Sequence, residues 1–376
     1  MENQTPKTLL EHFSSIADPR IDRTKRHKLI DILVIAICAT ICGAETWEDF
    51  QLFGYAKRDW FESFLELPGG IPSHDTFRRV FARLDPSQFQ QAFLDWVRSV
   101  TRLTKGEVVA IDGKQLRRWA DLAAGKQAIN MVSAWAEENR MVLGQVKVDE
   151  KSNEITAIPE LLSMLEISGC IVTMDAMGCQ TEIASEITKK QADYVLAVKG
   201  NQNHLYEDIV GYFDWALSDK FNQTSYRIDE TVSGDHGRVE VRRCYASQDI
   251  DWLRKKAEWK GISSIAMIES ERSVGGAEPS RERRYYISSL EADAKKLNRV
   301  IRSHWSIENS LHWVLDIAFR EDDSRIRKDH GPENMTTLRH IALNLLKQDK
   351  SIKVGIKSKR KNAGWNERYL LKVLNG

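Results

Sequence analysis

Apolar positions in the first hundred residues recur at helical intervals. Residues 29–42 form a nearly unbroken apolar run, and they predict a helix that is buried on all sides. Phe50, Phe53, Trp60, Phe61 and Phe64 follow at near-helical spacing. The breaker Pro68-Gly69-Gly70-Ile71-Pro72 comes next. Ser73 then supplies an N-cap for a helix over 75–84, and Asp85-Pro86-Ser87 separates it from an amphipathic helix over 89–100. Residues 56–84 have the outline of a helix-turn-helix, with Arg78 and Arg79 on the second helix where DNA contacts are made. An ordinary helical bundle with surface arginines fits the same spacing.

The pattern changes after Gly106. Strands are expected at 107–112, 128–136 and 141–148, a helix at 158–165, a strand at 169–175, a helix at 180–190 and a strand at 194–198. This βββαβαβ order describes an α/β domain on a mixed sheet. Residues 200–285 mix a helix with alternating strand-like runs and read as an insertion. A short strand at 284–288 and a long helix over 293–319 follow. The expected organisation is a helical region at 1–104, an α/β domain at 105–346 interrupted at about 200–285, and a basic tail at 347–376.

The chain has 376 residues, 42% hydrophobic and 29% charged, which is a soluble globular composition with room for two or three domains. The longest apolar run, 32–44, is shorter than the roughly 20 residues of a membrane span, so no membrane association is expected. Residues 1–7 lack a basic stretch leading into an apolar one, and no secretory leader is expected. Five cysteines without a CxxC argue against a disulfide framework or zinc ribbon and for a reducing cytoplasm. The net charge of +1 is unevenly placed: −1 over 1–104, −5 over 105–346 and +7 over 347–376. A tail of that kind can neutralise phosphates or simply stay solvated.

Two of the expected core strands end in carboxylates, Asp112 and Asp175. Each is followed by small residues, Gly113 and Ala176-Met177-Gly178, that leave room for a ligand. Paired aspartates repel, and a hard divalent cation is the natural partner. Glu308, in His304-Trp305-Ser306-Ile307-Glu308-Asn309-Ser310-Leu311-His312-Trp313, offers a third acid on the long helix. Three such acids can hold two metals for in-line phosphoryl displacement. His304, Glu308 and His312 also share a helix face with zinc-ligand character, although zinc leaves both aspartates unexplained. Trp305 and Trp313 read as core residues rather than base-stacking platforms.

These stretches resemble the H-repeat-associated insertion-sequence transposases, members of the DDE class with a ribonuclease-H-like core. The resemblance covers nearly the whole chain. It rests on His27-Lys28-Leu29-Ile30-Asp31-Ile32-Leu33, Gly70-Ile71-Pro72-Ser73-His74-Asp75-Thr76, Ala110-Ile111-Asp112-Gly113-Lys114 and the stretch from Asp149 to Leu162. It continues through Asp175-Ala176-Met177-Gly178-Cys179-Gln180, Ala197-Val198-Lys199-Gly200-Asn201-Gln202, His236-Gly237-Arg238, residues 284–289, and His304-Trp305 through Leu315-Asp316.

The resemblance implies a catalytic, metal-binding triad of Asp112, Asp175 and Glu308, two Mg²⁺ ions (with Mn²⁺ as a substitute), and an insertion before the third acid. It also implies double-stranded DNA as partner, both element ends and target, a homodimer on DNA, and a cytoplasmic, nucleoid-associated protein. The activity implied is cleavage at the element ends followed by attack of the 3′-OH on target DNA. A nuclease without strand transfer and a non-catalytic DNA-binding remnant use the same scaffold. The chain departs from a wider pattern of Tyr, Arg and Lys around the glutamate: Ile301, His304 and Leu315 stand there. His304 and His312 are candidates to replace those DNA contacts. Further candidates are Lys199 and Asn201 after a strand end, His236, Arg238 and Arg242 on an insertion strand, and Lys357, Lys359 and Arg360 in the tail.

Overall fold

The computed structural model describes residues 8–116, 129–148, 153–219, 222, 225–235, 238–274 and 278–375. It begins with α1 (Leu9–Phe13), α2 (Leu29–Cys42), α3 (Trp47–Ala56), α4 (Arg58–Glu62), α5 (His74–Arg83) and α6 (Pro86–Val100). Twelve of the fourteen residues of α2 are buried, as its all-round apolar sequence requires. The helix stops at Gly43, whose φ of 111° suits a residue without Cβ. Ser73 caps α5 by accepting from the Thr76 N–H, and Asp85 caps α6 from the Ser87 N–H.

The sheet region follows as β1 (Val108–Leu116), β2 (Ile129–Ala136), β3 (Met141–Lys147), α7 (Glu154–Met164), β4 (Ile171–Met174), α8 (Thr181–Lys189) and β5 (Asp193–Val198). Next come α9 (Asn203–Ser218), β6 (Arg227–Asp235), β7 (Arg238–Ser247), β8 (Ser264–Val274) and β9 (Ser280–Ser288). All nine strands lie in one mixed sheet, in the order β3-β2-β1-β4-β5-β9-β8-β7-β6. The pairs β1–β4 and β4–β5 are parallel and the others antiparallel. The stretch expected as an insertion therefore prolongs the central sheet: Val195 of β5 pairs with Ser288 of β9.

The expected long helix is broken. It consists of α10 (Ala294–His304), a π-helical turn at Glu308–His312, and α11 (Trp313–Phe319). After it come α12 (Gly331–Gln348), α13 (Ile356–Trp365) and α14 (Glu367–Asn375).

Helix α12 joins the two halves. It packs on α2, α5 and α6 on one side and on β3 on the other. Asn344 acts as a surrogate strand, donating to Val142 O and accepting from Val142 N–H, both at 2.9 Å. Asn334 donates to Phe81 O at 2.8 Å and Leu84 O at 2.9 Å, which satisfies the end of α5. One continuous core thus runs from α2 into the sheet.

The expected basic tail is folded. Helices α13 and α14 pack on each other and on α2. Lys359 and Arg360, read from sequence as phosphate contacts, point inward. Lys359 Nζ donates to Leu346 O at 2.8 Å and pairs with Asp349 at 3.7 Å. Arg360 donates to Ala318 O and, at 2.9 Å, to Thr40 O, and its guanidinium lies 4.1 Å from the Phe319 ring centre. Their job is to satisfy helix-end carbonyls, which no charge count reveals. Lys357 alone of the three stays exposed. Among the described residues no single helix is long and apolar enough to cross a membrane.

Candidate active site

Strand register brings the two aspartates together. The parallel pairing of β1 with β4 ends at Ile111 opposite Met174. Asp112 and Asp175 come next, so both sit where the parallel ladder ends; β4 stops there, whereas β1, expected to end at Asp112, runs on to Leu116 paired with β2. Asp175 Oδ1 accepts from the Met177 N–H at 3.0 Å, a turn that holds its carboxylate at the strand end. Glu308 opens the π-helical turn, a local distortion that recurs at functional sites. All three acids line one cleft of about 410 Å³, together with Thr173, Lys199, Arg284 and Trp305.

The cleft is electrostatically strained. Burial, then the charge of Asp175, pushes the Asp112 carboxyl up to about 7, and Glu308 and Glu154 add to the effect. Burial also raises Glu308, with Arg284 opposing and Asp175 reinforcing. Glu154, in the first turn of α7, is a fourth acid of the cluster. Burial and Asp175 raise it. A Cβ on Gly113 would fall 2.1 Å from its Oε1, so only glycine lets this carboxylate approach β1. Repelling carboxylates are the donor set that hard dications take. Among the described residues, however, no group of three or more His, Cys, Asp or Glu side chains is placed to hold a metal ion.

Both histidines of the helix face inward. His304 Nδ1 lies 3.0 Å from Thr173 Oγ1, and burial pulls the imidazolium down to about 4. His312 Nδ1 lies 3.6 Å from Asp112 Oδ2. Burial, with Lys114 next, takes it down to about 3. They are neutral rings that bracket the acids rather than cations offered to a phosphate.

Behind the cleft, Lys114 pairs with Asp316 of α11 and with Glu321, at 2.9 Å in the second case. Glu321 is fully buried and also faces Arg339 at 3.7 Å. Burial opposes the charge on Lys114, but Glu321 and Asp316 hold it above its ordinary value.

The remaining candidates are scattered. Lys199 lines the cleft and is exposed. Asn201 Nδ2 donates to Ala176 O at 2.7 Å, bracing the loop after Asp175. Arg78 and Arg79 are exposed on α5, where both pair with Asp75. His236 and the side chain of Arg238 lie outside the described residues. Arg242 is a correction: it is only 7% exposed and donates from Nε to Asn298 Oδ1 at 2.8 Å. Helix α10 covers that face of β7, so the shared parity of 238 and 242 selected the covered face. Trp305 and Trp313 correct the core reading as well. Trp313 is 60% exposed, and Trp305 is half-buried beneath Arg284, whose guanidinium carbon is 4.8 Å from the ring centre.

Sequence reasoning passed over Glu154 and Lys114. The first reads as an ordinary first-turn acid. The second finds its partners about 200 positions further along the chain.

Comparison with known proteins places the chain in a family. Residues 103–345 match the Transposase DDE domain family, and residues 10–97 match the DDE_Tnp_1-associated family. The Escherichia coli (strain K12) protein named "H repeat-associated putative transposase YhhI" is 42% identical over 374 residues, 98% of each chain. "Putative transposase YncI" of Escherichia coli O157:H7 is 42% identical over 371 residues, 98% of this chain and 94% of that one. "Putative protein YbfL" of strain K12 is 41% identical over 374 residues, again 98% of each.

Proposed function

Because the chain belongs to the H-repeat-associated family of insertion-sequence transposases, with a transposase DDE domain, we propose that Asp112, Asp175 and Glu308 carry phosphoryl transfer on duplex DNA. The observation that supports this reading most is the register of β1 and β4, which sets two aspartates side by side at a cleft that Glu308 overlooks. Strands β1 to β5, with β1, β4 and β5 parallel and β2 and β3 antiparallel, are read as a ribonuclease-H-like core that strands β6–β9 extend.

The repelling carboxylates of Asp112, Asp175 and Glu308 have the oxygen-donor chemistry that divalent ions take, two Mg²⁺ with Mn²⁺ as a substitute, once their side chains close around them. Bound there, the ions would neutralise charge on the attacking and leaving oxygens of an in-line displacement. The chain's own residues supply the rest. Arg284 and Lys199 bring positive charge to the cleft wall for the phosphodiester. His304, held by Thr173, keeps the start of the π-helical turn over β4. Exposed Trp313 offers a face on which an unpaired base can stack. Helix α5, with Arg78 and Arg79 outward, is the DNA-contacting helix of the N-terminal region. A dimer on DNA lets one assembly hold both element ends.

The test is cleavage and joining of a labelled duplex carrying the element end that flanks the gene, with Mg²⁺ or Mn²⁺. Metal-dependent joined product, lost in Asp112→Asn, Asp175→Asn and Glu308→Gln, supports the reading. Cleavage without joining replaces it with a nuclease. Tight DNA binding with no reaction in either metal points to a binding remnant.

A further inference from the structure

The catalytic cleft continues into two more. The second is bounded by Arg242, Arg272, Arg284, Arg299, Arg302 and Trp305 with their polar neighbours, and it shares Arg284 and Trp305 with the first. The third shares Arg299 and Arg302 with the second and adds Lys295 and Lys296. The three lie in sequence along α10, the helix that leads to Glu308.

Lys295, Arg299 and Arg302 fall at i, i+4 and i+7, so they stack on one face of α10, and all three are exposed. Other arginines of the fold have visible partners: Arg243 pairs with Glu230, Arg254 with Asp208 and Arg283 with Glu269. Arg299 and Arg302 have none among the described residues. Beneath them, Arg242 is more than nine-tenths buried and its Nη2 has no hydrogen-bond partner, although it borders the second cleft. Burial lowers its pKa, and the charge of Arg302 lowers it further. Arg272 is paired with Glu240 and Arg284 with Glu282, and Asp229 and Asp293 border the third cleft, which leaves Arg242, Arg299 and Arg302 as the arginines of these walls without a paired acid among the described residues. An anion in the trough would give the unsatisfied Arg242 Nη2 an acceptor and offset the charges of Arg299 and Arg302.

We infer that the outer face of α10 is a phosphate track, gripping the backbone of the DNA duplex on one side of the scissile position through Arg302, Arg299 and Lys295. This rests on the reading above and adds the path the DNA takes. From Lys295 to Glu308 the helical rise covers about 20 Å. That matches roughly six base-pair steps along the duplex axis at 3.4 Å each, of which only the phosphates turned toward α10 are gripped.

The experiment measures binding of the full-length chain to a fluorescent random-sequence duplex of about 30 base pairs across a salt series. Three proteins are compared: wild type, the double variant Arg299→Gln/Arg302→Gln, and the control Lys255→Gln/Lys256→Gln on the turn after Leu253, where the lysines pair with Glu258 and Asp251. Circular dichroism melts confirm that each is folded. The track predicts that the slope of log Kd against log salt falls by about 2 in the α10 variant, with affinity weakened about tenfold or more at low salt. The control keeps the wild-type slope. Equal slopes for wild type and the α10 variant overturn the track while the transposase reading stands. Equal losses in the α10 variant and the control also overturn it, since bulk charge then explains binding. A wild type that does not bind duplex DNA overturns both.

Discussion

Lys114 Nζ lies 2.9 Å from Glu321 Oε2, an ion pair closed across 207 positions of sequence. Lys114 is two residues beyond Asp112 on β1, and its other partner, Asp316, is on α11, directly after the turn that carries Glu308. The pair therefore ties the strand of the first acid to the helix of the third. Lys114→Ala takes the nearer cation from a fully buried Glu321, which then faces Arg339 at 3.7 Å. Breaking a buried pair of this kind costs about 3 kcal/mol or more. Denaturant unfolding should show that loss, and Lys114→Met/Glu321→Gln should recover most of it. A single variant as stable as wild type would show that the pair contributes nothing.

Acid should weaken the protein through His340. Its ring is buried, and burial takes its pKa from 6.5 down to about 4. Between those values the unfolded chain binds a proton that the folded chain does not, so stability falls as pH drops from about 6.5 to about 4 and levels off below. The ceiling for one such group is about 3 kcal/mol at 1.36 kcal/mol per unit. His340→Gln should flatten that part of the stability–pH curve. An unchanged slope would place the acid sensitivity elsewhere.

The carboxylate cluster should cost stability until a cation offsets it. Asp112→Asn removes a charge that faces Asp175, Glu308 and Glu154. The metal-free variant should melt higher than wild type, by about 1 kcal/mol in stability. It should also lose the rise in melting temperature that Mn²⁺ gives wild type. Equal Mn²⁺ responses would remove Asp112 from the ligand set.

Arg360 separates a structural cation from a DNA-binding one. Its guanidinium spans carbonyls of two helices, Thr40 of α2 and Ala318 of α11, and lies over Phe319. Arg360→Ala should cost about 2–3 kcal/mol, since two buried carbonyls lose their donor. It should leave the salt slope of DNA binding unchanged. A shallower slope with unaltered stability would restore Arg360 to the surface role its sequence context suggests.

Local pattern and tertiary contact divided the work in a way these residues make visible. The sequence by itself determined the elements: the all-apolar α2, the caps at Ser73 and Asp85, the βββαβαβ order and an aspartate directly after β4. Each depends on neighbours a few positions away, where periodicity and turn chemistry act directly. The candidate acids were legible in part for the same reason, since Asp175 at a strand end beside small residues is a local signal, and the family resemblance joined it to Asp112 and Glu308.

Only the tertiary structure decided which charges are free. Lys359, Arg360 and Arg242 have the same composition and spacing as surface cations, yet each turns inward to a partner on another element or loop, 10 to 320 positions away. Arg299 and Arg302 look no different in the chain and remain open. It also decided that the segment before α10 extends the sheet and that α12 fuses the N-terminal helices to β3. Burial and pairing are properties of the space between elements, set by which faces meet. The period of one element names its apolar face but not the neighbour that will cover its polar one.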